Sequence, residues 1–545
     1  IHEFSHVIGL GHLAGSWPPQ AYTLDRGEQL PMGYWTFNHS NPEASFMSDW
    51  NTMLHPHYTV SWHLTQQPRR LDTPTHRHLF AEAFRHWLIE NQIISPNSPG
   101  TDYAGPSTGD GDASAHWNWT ETNSEVLVEG GFYPSSEAAH ALGNQAAAVI
   151  SSDPYGSIVY LRYRDDAGEW GAVESRSPDS GELHENRLVV NSSGHALAIW
   201  SLWYAGEISV SHHAPDGENW TVSEILSRPI TTPGGFAQHP TVVFGPNGQA
   251  AAAWVRYESN DTGFELISRF RDPIGDWRPH ISHDTTRQGL GMPEMAMNDD
   301  GDLWIVWQRL EDEIFSIYGR FLNADTGRWS EVEQYSAGTS PAGFPQPVLL
   351  ANGSGVVVWR QGEAMIDGPP QTAHIAARTR RSDGSLGEII QVSLPGQDSF
   401  HTTLEGRKKN ILVDQRGRVG VVWSGFDGQN FRIYAAFRHS AERWSEPHAL
   451  SESGQHAKMP SLATGGNRWA ATWQRSDGYT SRIQASLFLP DTQSWSVPVS
   501  LSPAGKMGIW SEISAQDGPG FTVIWSELSD GHYQLKTSEA MVVSP

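Results

Sequence analysis

The sequence has no cysteine in 545 residues, which excludes disulfides, thiolate metal sites, iron–sulfur clusters and cysteine nucleophiles. Any metal has to sit on His, Asp or Glu. Positive charge is scarce as well: Lys and Arg number 36 against 61 Asp and Glu, a formal net charge of −25. A field of that sign repels phosphate backbones and anionic lipid, so nucleic acid is excluded as an expected partner. No apolar run is long enough to cross a bilayer as a helix, and no transmembrane segment is expected. There is no initiator Met and no signal peptide; the chain opens at Ile1, inside a motif, and a preceding part is expected to be missing. Abundant instead are 53 Gly, 34 Pro and 24 Trp beside a hydrophobic content of 38%, a turn-rich, mainly β composition. The length exceeds the reach of one core and calls for several domains or a repeat array.

Residues 95–116 are rich in Ser, Pro, Gly, Asp and Thr and nearly devoid of apolar anchors, the composition of a solvated linker. They divide a His-rich, mostly helical piece at 1–94 from a repeat region at 117–545. In the repeat, a Gly-containing turn leads into an apolar strand ending in Trp: SSGHALAIW, PNGQAAAAW, DDGDLWIVW, NGSGVVVW, QRGRVGVVW, GGNRWAATW and DGPGFTVIW, with Trp200, Trp254, Trp307, Trp359, Trp423, Trp473 and Trp525. A degenerate first copy puts Ile150 in the Trp place. Spacings of 50 to 54 residues, with one of 64, match propeller blades. Each unit provides four short strands, the fourth led by a second Trp such as Trp170, Trp220 or Trp277, except in the fifth unit, where GSLGEIIQVS stands instead. The last unit stops after its third strand, while WNWTETNSEVLV, just after the linker, is a fourth strand without a blade. Joining the two removes both sheet edges. The expectation is an eight-bladed, alternatively seven-bladed, β-propeller sealed between 117–130 and 530–541.

Residues 1–12 read IHEFSHVIGLGH, a complete HExxHxxGxxH. Four residues apart on a helix, His2 and His6 project from one face toward a single ion. Gly9 lets the backbone leave the helix so that His12 swings round as a third nitrogen ligand, with water in the fourth position. Three neutral ligands keep Zn2+ strongly Lewis acidic, and Glu3 is placed to take the proton of the bound water. Further on, TPTHRHLFAEAFRHWLIENQ offers Thr73 as N-cap, Pro74 at the first helical position and an apolar face through Leu79, Phe80, Phe84 and Trp87, one amphipathic helix. Asp299, Asp300 and Asp302 occupy the hairpin turn that is PNGQ or SSGH in neighbouring units, which favours a plain turn over a calcium loop. The fixed place of the repeat Trp residues at strand ends favours packing between blades over a sugar-stacking ladder.

The zinc motif is similar to that of the metzincin zinc endopeptidases. The resemblance implies a Met-turn, for which Met53 in NTMLHPHY is the candidate and Met47 the runner-up, and a closing helix matching the one at 73–92. It implies that 1–94 is the lower part of a catalytic domain, with its subfamily unassigned. The repeats resemble secreted bacterial propellers of the sialidase-like, BNR-like kind, in architecture only, since no SxDxGxTW box is present. Together the resemblances imply a secreted zinc endopeptidase. Its partners would be a protein or peptide substrate and a glycan or protein surface bound by the propeller. The alternative is a non-enzymatic propeller adhesin carrying a protease remnant.

Overall fold

The computed structural model describes the strands at 35–37, 61–64, 70–72, 117–119, 125–128, 139–143 and 146–152, and residues 159–542 with breaks at connections, the longest at 177–182, 363–372 and 401–408. Every regular element among the described residues is a β-strand. Trp35–Phe37, Ser61–Leu64 and Arg70–Asp72 make a small three-stranded antiparallel sheet. The helices expected at 1–12 and 73–92 lie outside the described residues.

From residue 139 onward the chain makes seven successive antiparallel sheets, each from one continuous stretch, and then one composite sheet. We number them blades 1 to 8: 139–176, 183–225, 236–286, 290–334, 342–391, 399–449, 456–500, and 507–542 with the strands Trp117–Trp119 and Glu125–Val128. Within each blade the chain runs outward from an innermost strand. The innermost strands touch their neighbours in turn, and Met507–Ala515 of blade 8 touches Ala139–Gly143 of blade 1, which closes the ring. The β-propeller expected from the Trp spacing is present. Its closure joins the two ends of the repeat region: Trp117, Asn118 and Trp119 pair with Val542, Met541 and Ala540, and Glu125 and Val126 pair with Thr537 and Lys536. The Arg164 guanidinium of blade 1 bonds the Glu539 carboxylate of blade 8, an ion pair across the same junction.

The periodicity has a simple physical origin. A propeller blade is covered on both faces, so its second strand is apolar on both sides, as in Ala250–Tyr257, where Ala250, Ala251, Ala252, Ala253, Trp254 and Val255 are all fully buried. Alternate side chains point to opposite neighbours. The repeat Trp always points back: Trp200 packs on Val159 and Leu161, Trp254 on Leu197 and Ile199, Trp307 on Ala251 and Ala253, and Trp359 on Trp304 and Val306. Trp423, Trp473 and Trp525 follow the same rule against blades 5, 6 and 7. The large ring fills the wedge between diverging sheets, so truncating one to Ala removes roughly 3–5 kcal/mol. The preceding hairpin needs a left-handed residue, and Gly194, Gly248, Gly301, Gly353 and Gly417 supply it at φ between 74° and 87°.

Candidate functional site

The innermost strands of blades 2 to 8 surround a cavity of about 680 Å³ on the propeller axis, within the roughly 300–1,000 Å³ common for small-molecule sites. Its walls begin at Asn186, Thr241, Glu294, Gln346, Lys409, Leu462 and Glu512 and run down to the hairpin turns at Asn191, Gly245 and Asn298. At the top, one equivalent residue per blade forms a ring: Arg187, Thr241, Glu294, Gln346, Ser461 and Glu512 pair with Ile199, Ala253, Val306, Val358, Thr472 and Ile524. In each case the partner is the residue just before the repeat Trp. Asn410 holds the same place in blade 6, where the backbone N–H of Val422 donates to its carbonyl.

These side chains are tied to one another rather than left as isolated charges. Arg187 lies 3.8 Å from Glu294, whose other oxygen accepts the Thr241 hydroxyl at 3.3 Å. Thus blade 3 is bridged by its two neighbours. Gln346 accepts the backbone N–H of Asn410 at 3.0 Å, and the Asn410 amide donates to the carbonyl of Pro460 at 2.7 Å. Arg187, Glu294 and Glu512 are partly buried, whereas Lys409 is exposed. The wall therefore mixes donors and acceptors with near-balanced charge.

Above the ring the pairing register of the innermost strand shifts in blade 2, between Leu183 and Glu185, and a bulge interrupts that strand in blades 3, 4, 5, 7 and 8. Each bulge holds a non-glycine residue at positive φ: His239 at 58°, Met292 at 49°, Phe344 at 58°, Met459 at 56° and Trp510 at 52°. Met292, Phe344, Met459 and Trp510 are buried. Backbone strain of this kind persists only where the surroundings over-determine it. Next to Met459, Lys458 is buried with its ammonium 4.5 Å over the Phe431 ring. Burial lowers its pKa to about 7, against the opposing pull of Asp398. Burial likewise raises the Asp398 carboxyl, opposed by a backbone hydrogen bond from Ala373 and by the Arg360 and Lys458 charges.

The polar ring was missed in the sequence, although a signal exists. Arg187, Thr241, Glu294, Gln346, Asn410 and Glu512 stand at one fixed distance before the repeat Trp of their units, and Pro precedes Thr241, Glu294, Gln346 and Ser461. Two readings of sequence features hold. The repeat Trp residues are buried between blades. The acidic turn is a plain hairpin: Asp302 is buried, accepts the Asn298 amide at 3.2 Å and the Ala324 backbone N–H at 2.8 Å, and so serves the turn itself.

No family model and no curated protein matches the chain. Among solved structures it is similar to a puromycin hydrolase complexed with PGG, at 13% identity and a TM-score of 0.45 over 74% of this chain and 59% of that one. The chain thus spans somewhat over half the length of that hydrolase. It is also similar to an ulvan lyase, a polysaccharide lyase bound to a GlcA(1-4)Rha3S chain, at 9% identity and a TM-score of 0.43 over 77% and 95%. A third similarity is to the α-L-arabinofuranosidase of Fusarium graminearum with an iminosugar inhibitor, at 14% identity and a TM-score of 0.35 over 66% and 92%.

The zinc endopeptidase expected from the N-terminal motif is corrected by these findings. The similar structures are hydrolases and lyases rather than zinc metallopeptidases. Among the described residues no group of three or more His, Asp or Glu is placed to hold a metal ion. The metzincin-type residues His2, Glu3, His6, His12 and Met53 lie outside the described residues. The motif spans twelve residues at one end of the chain, whereas the polar groups that the described residues bring together come from blades 2 to 8 around the cavity. Also among the described residues, no helix is long and apolar enough to cross a membrane.

Proposed function

We propose that the propeller binds a short, neutral oligosaccharide in its axial cavity. The observation that carries this reading is the polar ring, in which Arg187, Thr241, Glu294 and Gln346 set guanidinium, hydroxyl, carboxylate and amide groups side by side on one wall. Adjacent sugar hydroxyls each donate and accept, so a wall of alternating donors and acceptors satisfies them where a purely apolar or single-sign wall cannot. Neutrality follows from charge. The cavity lining sets Arg187 and Lys409 against Glu294, Asp299 and Glu512, a near balance that offers no excess positive charge for a polyanionic chain, and the chain as a whole carries −25.

The test is calorimetric titration of the full chain with neutral di- to tetrasaccharides, alongside uncharged peptides of matching length. Binding of a sugar is expected, and Glu294→Ala is expected to weaken it about tenfold or more, the loss of one charge-assisted hydrogen bond. Peptide binding with no response to any sugar would reject the reading.

A further inference from the structure

Blade 3 departs from the other bulged blades in what it places at the bulge. Where Met292, Phe344, Met459 and Trp510 are apolar, the residue at 239 is His, held at φ 58°. Its neighbour across the blade boundary is Glu185, on the innermost strand of blade 2. One oxygen of Glu185 accepts the backbone N–H of His239 at 2.7 Å, and the other lies 2.8 Å from Nδ1. A carboxylate can only accept, so Nδ1 carries the proton. In the neutral ring that contact selects the Nδ1–H tautomer, whose lone pair is on Nε2.

Among the described residues Nε2 has no hydrogen-bond partner, and the His239 side chain keeps 18% of its exposure while that of Glu185 keeps 9%. Neither residue lines the cavity itself: Glu185 directly precedes the lining residues Asn186 and Arg187, and His239 stands two residues before the lining residue Thr241, so the pair lies just beyond the cavity's upper end. A buried carboxylate that grips both the backbone and the ring of one strained residue restrains the imidazole in position and in tautomer. A clasp between blades 2 and 3 needs only Nδ1 and the backbone N–H, so Nε2 is left over for another partner.

We infer that His239 is a ligand-contacting proton acceptor at the mouth of the cavity, taking a hydrogen bond from a sugar hydroxyl through Nε2, with Glu185 as its positioning residue. This rests on the oligosaccharide reading of the cavity.

Two measurements test it. In the full chain labelled with 15N-histidine, the His239 ring, assigned by its loss in His239→Asn, is expected to show the Nδ1–H tautomer, and Glu185→Gln is expected to convert it to a mixture. An Nε2–H or mixed ring in the wild-type chain overturns the inference. Asn tolerates the left-handed backbone, so His239→Asn should keep its melting temperature within a few degrees while its affinity for the bound oligosaccharide falls about tenfold or more. Unchanged affinity overturns this inference alone and leaves the cavity reading standing. A panel in which no sugar binds removes the cavity reading and this inference with it.

Discussion

At the scale of single residues, the propeller depends on small side chains as much as on large ones. Gly355 opens the second strand of blade 5 against blade 4, and a Cβ there would stand 2.7 Å from Cζ3 of Trp304 and 2.8 Å from its Cε3. The buried indole cannot give way, because Tyr335 and the blade 5 strands enclose it. In an open strand Ala would outperform Gly, whereas Gly355→Ala is expected to destabilise by about 1–3 kcal/mol, the usual cost of overpacking, as a drop in melting temperature. Gly420 faces Trp469 at the same 2.7 Å. Lys458 gives a prediction of different character. Its folded pKa of about 7 lies below the ordinary 10.5, so between those values the unfolded chain holds a proton that the folded chain has shed. Stability therefore rises with pH across that window, by at most about 1.4 kcal/mol per pH unit, and the slope vanishes below pH 7. Lys458→Met should flatten it, so that from pH 7 to 9 the wild-type melting temperature gains on the variant. Parallel curves for the two proteins would contradict the assignment.

At the scale of elements, what the sequence made legible and what it hid follow from the same geometry. The hairpin glycines and the second strands were readable because both faces of those strands are buried up to the repeat Trp, which restricts those positions to small or apolar residues; the strands run on past the Trp, as in Ala250–Tyr257 and Leu303–Glu311, rather than ending at it. The innermost strand is different. It borders the axial cavity, its composition is loose, and the bulge shifts its register by a step that no fixed period reveals. So Arg187, Glu294 and Gln346 read as scattered polar residues, although their place relative to the repeat Trp is constant. The His239 and Glu185 pair could not be found at all from spacing, since it joins different blades, 54 residues apart. The N-terminal zinc motif drew the functional reading because it is compact in sequence; the polar ring, spread from residue 187 to 512, forms only when the circle closes.

At the scale of the whole molecule, stability hangs on the composite blade. Removing residues 1–110 leaves Trp117–Trp119 and Glu125–Val128 in place, and the melting curve is expected to stay sharp with little shift. Removing 1–130 strips both strands from His532–Val542, exposes an edge, and is expected to lower the melting temperature by several degrees and broaden the transition, as followed by near-ultraviolet circular dichroism. Coincident curves for the two truncations would refute the closure as a stabilising device. The same junction sets a timetable for biosynthesis. Blades 1 to 7 can form one after another as the chain leaves the ribosome, but the strand that Trp117–Trp119 must pair with is the last to be made. The earliest strand of the ring thus waits for the latest, so nascent chains halted before residue 532 should remain open arcs that chaperones and proteases can grip. Once the ring has shut, the pairing of Trp117 with Val542 brings the segments leading into and out of the propeller to one blade, so whatever is joined at either end is carried on the same side of the ring.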